Sequence, residues 1–236
     1  MFKSILTYYK KCRRAKRIAN LSNRIPPYLQ KDFEVELNYK LWTTKGARFA
    51  ASHRTETLQR LSSQCVGYLS AYLIIVSLVN VFGLKFWMIS LSDSEVSFAS
   101  VAFSVLILLF SQLESSESFV LKSDRYHNCA LDIAELYNQL RYTKTYANED
   151  PNKKDILLKI SNDYDKILKR YENHAPIDYS MLQLTKSDYF KLSFWKRGLI
   201  RTEYYLRVQF KYHLFMFGPV FLFVMVNLYK LFVKNS

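Results

Sequence analysis

Residues 65–84 read CVGYLSAYLIIVSLVNVFGL, a run without a charged side chain that Lys85 closes. A helix of that length crosses about 30 Å, the thickness of a bilayer's hydrocarbon. Residues 96–113 read VSFASVAFSVLILLFSQL and are also uncharged. This second run is slightly short, which flanking side chains or local bilayer thinning accommodate. Between them lies KFWMISLSDSE, residues 85–95, with Trp87 placed as an interfacial aromatic. Two long apolar runs with a short connection read as a transmembrane helical hairpin. A buried hairpin in a soluble protein is the competing reading, and two uncharged runs of this length in so basic a chain weigh against it.

A third apolar stretch, LFMFGPVFLFVMVNLY at 214–229, continues to Val233 and contains Gly218 and Pro219. Membrane helices tolerate both residues. The expectation is a third, C-terminal membrane helix over 214–233, kinked at the proline, with a segment lying partly in the interface as the alternative. Lysine and arginine set the orientation. Fourteen precede Cys65, one (Lys85) lies between the first two runs, and seventeen fall between Glu114 and Lys211. Arg54, Arg60, Lys122 and Arg125, close to the runs, follow the same bias. The positive-inside rule therefore places the N-terminus and the long middle region in the cytoplasm. The expected location is the cell inner membrane, with a multi-pass topology.

The remaining composition is helical in character. Five glycines and five prolines in 236 residues leave little material for disordered linkers. Residues 28–64 have few breakers after Pro26 and Pro27 and predict a long helix running into the first span, weakened near Thr43, Thr44 and Gly46. Residues 114–146 continue the second span, with Ala130, Ile133, Ala134, Tyr137 and Leu140 at helical spacing. Residues 153–172 form an amphipathic helix with Ile156, Ile160, Tyr164, Ile167, Leu168 and Tyr171 on one stripe, suited to packing on the helices that extend from the hairpin. A break follows at 173–176, before Pro176. Thr185, with Asp188 three positions on, resembles a helix start, so the next helix is expected from Lys186 towards the third apolar run. The fold class is all-α: a transmembrane helical hairpin, long helical cytoplasmic extensions and the C-terminal membrane helix. The expected organisation is a basic N-terminal segment at 1–27, a domain at 28–200 that contains spans 65–84 and 96–113, and a juxtamembrane helix with its apolar segment at 201–236.

Specific catalytic signatures are missing from the sequence. Cys12, Cys65 and Cys129 form no CxxC pair, and His53, His127, His174 and His213 show no metal-ligand spacing. There is no HExxH, GxSxG, P-loop or dinucleotide fingerprint. The reading is no enzyme, no cofactor and no metal. The N-terminal run Lys3, Lys10, Lys11, Arg13, Arg14, Lys16 and Arg17 lacks the apolar stretch of a secretory signal and reads as a membrane-surface segment. It and the basic, aromatic-rich stretch 186–211 suit anionic lipid head groups. Nucleic acid is the minor alternative, since charge alone does not separate two polyanions.

The strongest positional signal lies in the second span. Ser97, Ser100, Ser104, Ser111, Ser115 and Ser118 fall within about 60° of arc at 3.6 residues per turn. Such a stripe lines a narrow pore between subunits or serves close packing of membrane helices. Gln112 and Glu114, with Glu117, lie at its cytoplasmic end, as a mouth that favours cations or as a solvated continuation. Asn80 is either an interhelical hydrogen-bonding group or a turn residue.

The segment 171–179, YENHAPIDY, resembles the YENH-x-PIDY segment of the SLATT family, the SMODS- and SLOG-associating two-transmembrane effector domains. The order of helix, membrane hairpin and helical cytoplasmic region is similar as well. The likeness spans roughly residues 30 to 200 and is closest to the branch found beside reverse transcriptases. It implies a membrane effector of a prokaryotic conflict or antiphage system. The implied action is homo-oligomerisation into a pore that depolarises the membrane, with a trigger from a partner encoded nearby, such as a reverse transcriptase or a nucleotide-signal system. In the segment itself, Tyr171, Glu172, Asn173, His174, Pro176, Asp178 and Tyr179 are the residues of interest. Asn173 and Asp178 suit bonds to backbone around the Pro176 turn. A rigid turn between two helices is favoured over a ligand or sensor site. The competing functions are a membrane adaptor for a soluble partner and, further off, an integral membrane enzyme.

Overall fold

The computed structural model describes residues 32–82, 92–147 and 149–234. The side chains at 80, 230, 231, 233 and 234 lie outside that description, as do the basic N-terminal segment, Cys12 and the connection around Trp87. The described residues form helices and no strand. These are α1 (Phe33–Phe82), α2 (Asp93–Glu117), α3 (Phe119–Tyr146), α4 (Lys153–Arg170), α5 (Pro176–Thr185), α6 (Phe194–Tyr204), a π-helical turn (Tyr205–Gln209) and α7 (Phe210–Lys234). Three of the helices are long and apolar enough to cross a membrane. The described residues divide into two compact units, one made of those within 1–45 and 130–170, the other of those within 46–129 and 171–236.

α1 runs unbroken for 50 residues through the stretch expected to weaken it. Three of its threonines donate their hydroxyls to backbone one turn back, Thr43 to the Tyr39 carbonyl, Thr55 to that of Ala51 and Thr57 to that of His53. Gly46 is required by a neighbour. A Cβ there would sit 2.5 Å from a methyl of Leu182 on α5. The small residue lets a second helix approach the α1 backbone.

α2 begins at a capping box. The Ser92 hydroxyl accepts from the Glu95 backbone N–H at 3.3 Å, and the Glu95 carboxylate accepts from that of Ser92 at 2.8 Å. Two of the N–H groups that a helix start leaves unpaired are thereby satisfied. The second span and its extension are not one helix, contrary to the expectation from the sequence. Ser118 adopts a left-handed conformation (φ 47°, ψ 49°), and α3 starts afresh at Phe119. A non-glycine residue pays sterically there.

In the first unit, α1, α3 and α4 bury Leu37 and Leu41, then Ala130, Ile133, Leu136 and Leu140, then Leu157, Ile160 and Tyr164. The Thr44 hydroxyl and Tyr164 hydroxyl meet at 2.7 Å, and Lys153 pairs with Glu34 at 2.7 Å. The amphipathic stripe of α4 therefore does pack on α1.

In the second unit, the apolar runs form one core. Leu58, Leu61, Cys65 and Leu69 of α1 meet Phe110 of α2, Phe119 of α3, Val208 of the π turn, and Tyr212 and Met216 of α7. The third apolar segment thus packs with the hairpin. The Tyr72 hydroxyl donates to the Met216 carbonyl at 2.6 Å. That contact lies beside the Phe215 carbonyl, whose helical donor Pro219 removes. Burying such a polar contact between apolar helices suits a membrane, where backbone groups are satisfied within the protein.

The connection to α7 differs from the expectation. Thr185 is the last residue of α5, not a cap, and the next helix starts at Phe194 rather than Lys186. Ser193 caps it by accepting from the Lys196 N–H. Buried Ile177 and Leu182 carry α5 as a separate short helix.

Candidate functional site

The segment 171–179 is tied to α1 and α3 by charge. Pro176 opens α5 at a position where its missing N–H costs nothing. Asp178, two residues on, is fully buried. Its Oδ2 accepts from the Ala175 N–H at 2.9 Å. Its two oxygens also accept from Arg54 on α1, Nε to Oδ1 at 2.7 Å and Nη2 to Oδ2 at 3.1 Å. This is the planar two-point geometry in which arginine holds a carboxylate most firmly. Burial works against the charge on Arg54, but the Asp178 hydrogen bond and charge outweigh it and raise its pKa. Asp178 thus bonds nearby backbone, as expected, and carries an ion pair the sequence did not disclose.

A second arginine lies six residues earlier. Arg48 is completely buried, and its Nη2 donates to Asn173 Oδ1 at 3.3 Å. Its guanidinium stands 5.8 Å from the centre of the Tyr126 ring. The Tyr126 hydroxyl in turn donates to the Asn173 carbonyl at 3.2 Å. Asn173 is therefore gripped through both side chain and backbone. Among the described residues, Arg48 Nε and Nη1 have no hydrogen-bond partner, and neither has His174 Nδ1. Burial first, and the Arg48 charge second, lower the His174 pKa. The neutral form of the His174 ring is thereby favoured. Glu172 is exposed, 3.9 Å from Arg125. Tyr171 is half-buried, and the half-buried Tyr179 ring packs edge-on against Phe190. Of the seven residues singled out, Asn173 and Asp178 are held by groups from α1 and α3, and His174 lies between them, half-buried. Pro176 shapes the turn, and Glu172 stays at the surface.

Arg48, Arg54 and Tyr126 escaped the sequence reading. Arg54 was counted only as topological charge. A signal for Arg48 did exist, because it sits among Ala47, Phe49, Ala50 and Ala51. A charge within such a small, apolar stretch needs a buried partner.

The serine stripe lies on the outside of the single chain. Ser97, Ser104, Ser111, Ser115 and Ser118 are exposed and Ser100 is half-buried. The face that packs into the core carries Phe103, Leu106, Ile107 and Phe110. It is about a quarter turn round the helix from the serines at 3.6 residues per turn. The hydroxyls of Ser100 and Ser104 are turned back on the Val96 and Ser100 carbonyls. Gln112 is exposed. The Glu114 carboxylate faces α1, where Oε1 accepts from Gln59 Nε2 at 2.5 Å and from the Ser63 hydroxyl at 3.0 Å. Ser62 approaches Oε2 at 3.4 Å. The side chain of Asn80 lies outside the described residues. Cys65 and Cys129 are buried.

Residues 30–225 match the family described as SMODS and SLOG-associating 2TM effector domain family 5. The chain matches no curated protein and no solved structure.

Proposed function

Because the chain belongs to SMODS and SLOG-associating 2TM effector domain family 5, we propose that it is the membrane effector of a prokaryotic conflict system. Its proposed action is to self-assemble in the inner membrane, open a pore and depolarise the cell. The three apolar helices and the family together mark a membrane protein. One observation carries the pore reading: the serine stripe of α2 is left on the exposed side of a protomer whose neighbouring face is already packed. One protomer's few spans do not enclose a channel, so the hydroxyls line one only when copies associate. Small hydroxyl residues also permit the close helix approach that association needs. In this reading the N-terminus and the middle region face the cytoplasm. There the segment 171–179, latched by Arg54 and Arg48, relays a trigger from a partner encoded nearby, such as a reverse transcriptase or a nucleotide-signal system. The action requires no bond chemistry from the protein.

The test is membrane potential after induced expression, read with a voltage-sensitive dye beside growth. Depolarisation that precedes growth arrest, and is abolished by Ser104→Phe, supports the reading. Full conduction by Ser104→Phe removes the stripe from the mechanism. An unchanged potential with the neighbouring genes present makes the protein an adaptor.

A further inference from the structure

A cavity of about 490 Å³ opens in the second unit, beside the core of the apolar helices. Its volume falls in the range of small-molecule sites. Its walls differ sharply in chemistry. Leu58 of α1, Phe110 and Leu113 of α2, and Phe215 of α7 supply an apolar side. Arg54, Lys122, Arg207 and Lys211 supply cations, against only two carboxylates, Glu117 and Glu172. Several of these charges are already engaged. Arg54 holds Asp178, and Lys122 lies 2.6 Å from Glu117. Among the described residues, Arg207 has only an exposed pairing to Glu203 one turn away, the kind worth little. Lys211 forms no ion pair with a described carboxylate and lies 4.8 Å from the centre of the Tyr212 ring. Arg207 and Lys211 are thus the cations available to a ligand.

The backbone is irregular on two sides of this cavity. Glu117 and Phe119 flank the left-handed Ser118, and Arg207 and Val208 belong to the π turn. π turns inside helices often accompany functional sites. Phe110 and Leu113 end the second apolar run, Phe215 lies at the start of the third, and Leu58 sits about two turns before the first, so a molecule seated here spans the step from hydrocarbon to charge. A free anion uses only half of such a wall. A molecule with an anionic head and a hydrocarbon tail uses both halves.

We propose that this cavity binds one anionic phospholipid of the surrounding bilayer. The phosphate lies against Arg207 and Lys211, and the upper acyl chain against Leu58, Phe110 and Phe215. The proposal goes beyond the pore reading and stands whether or not the assembled protein conducts.

The experiment uses the full-length protein extracted in mild detergent, with native mass spectrometry after equilibration with equal phosphatidylglycerol and phosphatidylcholine. The expected result is one retained phosphatidylglycerol per protomer, in clear preference to phosphatidylcholine. Juxtamembrane cations contribute enough that Arg207→Ala with Lys211→Ala lowers retention roughly tenfold or more. Leu58→Trp fills the apolar side without changing charge, and it too abolishes retention. If that variant melts early by circular dichroism, Phe215→Trp, at a half-buried position, takes its place. Equal retention of both lipids overturns the proposal, as does full retention by the alanine pair or by a folded tryptophan variant. Complete displacement by millimolar inorganic phosphate overturns it as well, because it shows an anion site with no use for the tail.

Discussion

Arg54 on α1 and Asp178 on α5, 124 positions apart in sequence, face each other through two parallel hydrogen bonds, with the carboxylate fully buried. Removing one member leaves the other charge buried without its counterpart, at a cost of about 3–5 kcal/mol. Arg54→Met and Asp178→Leu, each alone, are therefore expected to lower the unfolding free energy in detergent by that order. The two together cost clearly less than the sum, because no uncompensated charge remains. A double-mutant cycle by denaturant unfolding reads the coupling. Additive losses mean that the pair does not act as a unit.

His174 gives a pH dependence whose sign is fixed by its surroundings. Burial and Arg48 hold its folded pKa below the ordinary 6.5. The unfolded chain therefore binds the proton more readily. The stabilising contribution of the neutral ring is fully present above about pH 6.5. It declines as pH falls below that value, and the loss levels off below the folded pKa. Melting temperature measured downward from neutral pH should fall more steeply in wild type than in His174→Gln. Parallel curves assign the dependence to other groups.

Gly46 is a third test, because two effects oppose there. Alanine in a helix interior is favoured over glycine by about 1 kcal/mol. The added Cβ, however, would stand 2.5 Å from Leu182, which is nearly buried. Overpacking of that kind costs roughly 1–3 kcal/mol. Gly46→Ala is expected to be neutral to destabilising by about 2 kcal/mol, by the same balance. Combined with Leu182→Ala, it should restore part of the loss that Leu182→Ala causes. Stabilisation by Gly46→Ala alone shows that Leu182 yields freely.

The membrane helices were legible because an uncharged run of bilayer length needs no partner to be interpreted. Residues 65–84 and 96–113 announce themselves, and α1 and α2 contain them as far as Phe82. The amphipathic face of α4 was legible through its period, although Leu157, buried there, was missed. The break at Ser118 was not legible. Ser115, Ser116 and Glu117 are ordinary helical neighbours, and a left-handed serine carries no glycine to mark it. The start of α6 was misplaced because Thr185 and Asp188 imitate a cap, while Ser193 provides the actual one. Asn173 and Asp178 were found through a resemblance. Their partners Arg48 and Arg54 were not, since a partner more than a hundred residues away leaves no pairing pattern, and the apolar neighbours of Arg48 mark a buried charge without saying what it meets.

Glu114 separates anchoring from conduction. Its carboxylate takes bonds from Gln59 and Ser63, so it ties α2 to α1 just where the second apolar run ends. Hydrogen bonds to a charged group contribute about 1.5–3 kcal/mol each at most, and a partly exposed one less. Glu114→Ala is therefore expected to lower the unfolding free energy by roughly 1–3 kcal/mol, since it strands the donors of α1. Glu114→Gln keeps an acceptor oxygen and should lose less. The two variants part company in planar bilayers. In the pore reading, both remove a negative charge near the cytoplasmic end of the serine stripe, so both move the reversal potential under a salt gradient away from cation preference, and by equal amounts. A shift that follows stability rather than charge, large in Glu114→Ala and absent in Glu114→Gln, makes Glu114 an anchor of the helix pair and takes the mouth of the pore elsewhere.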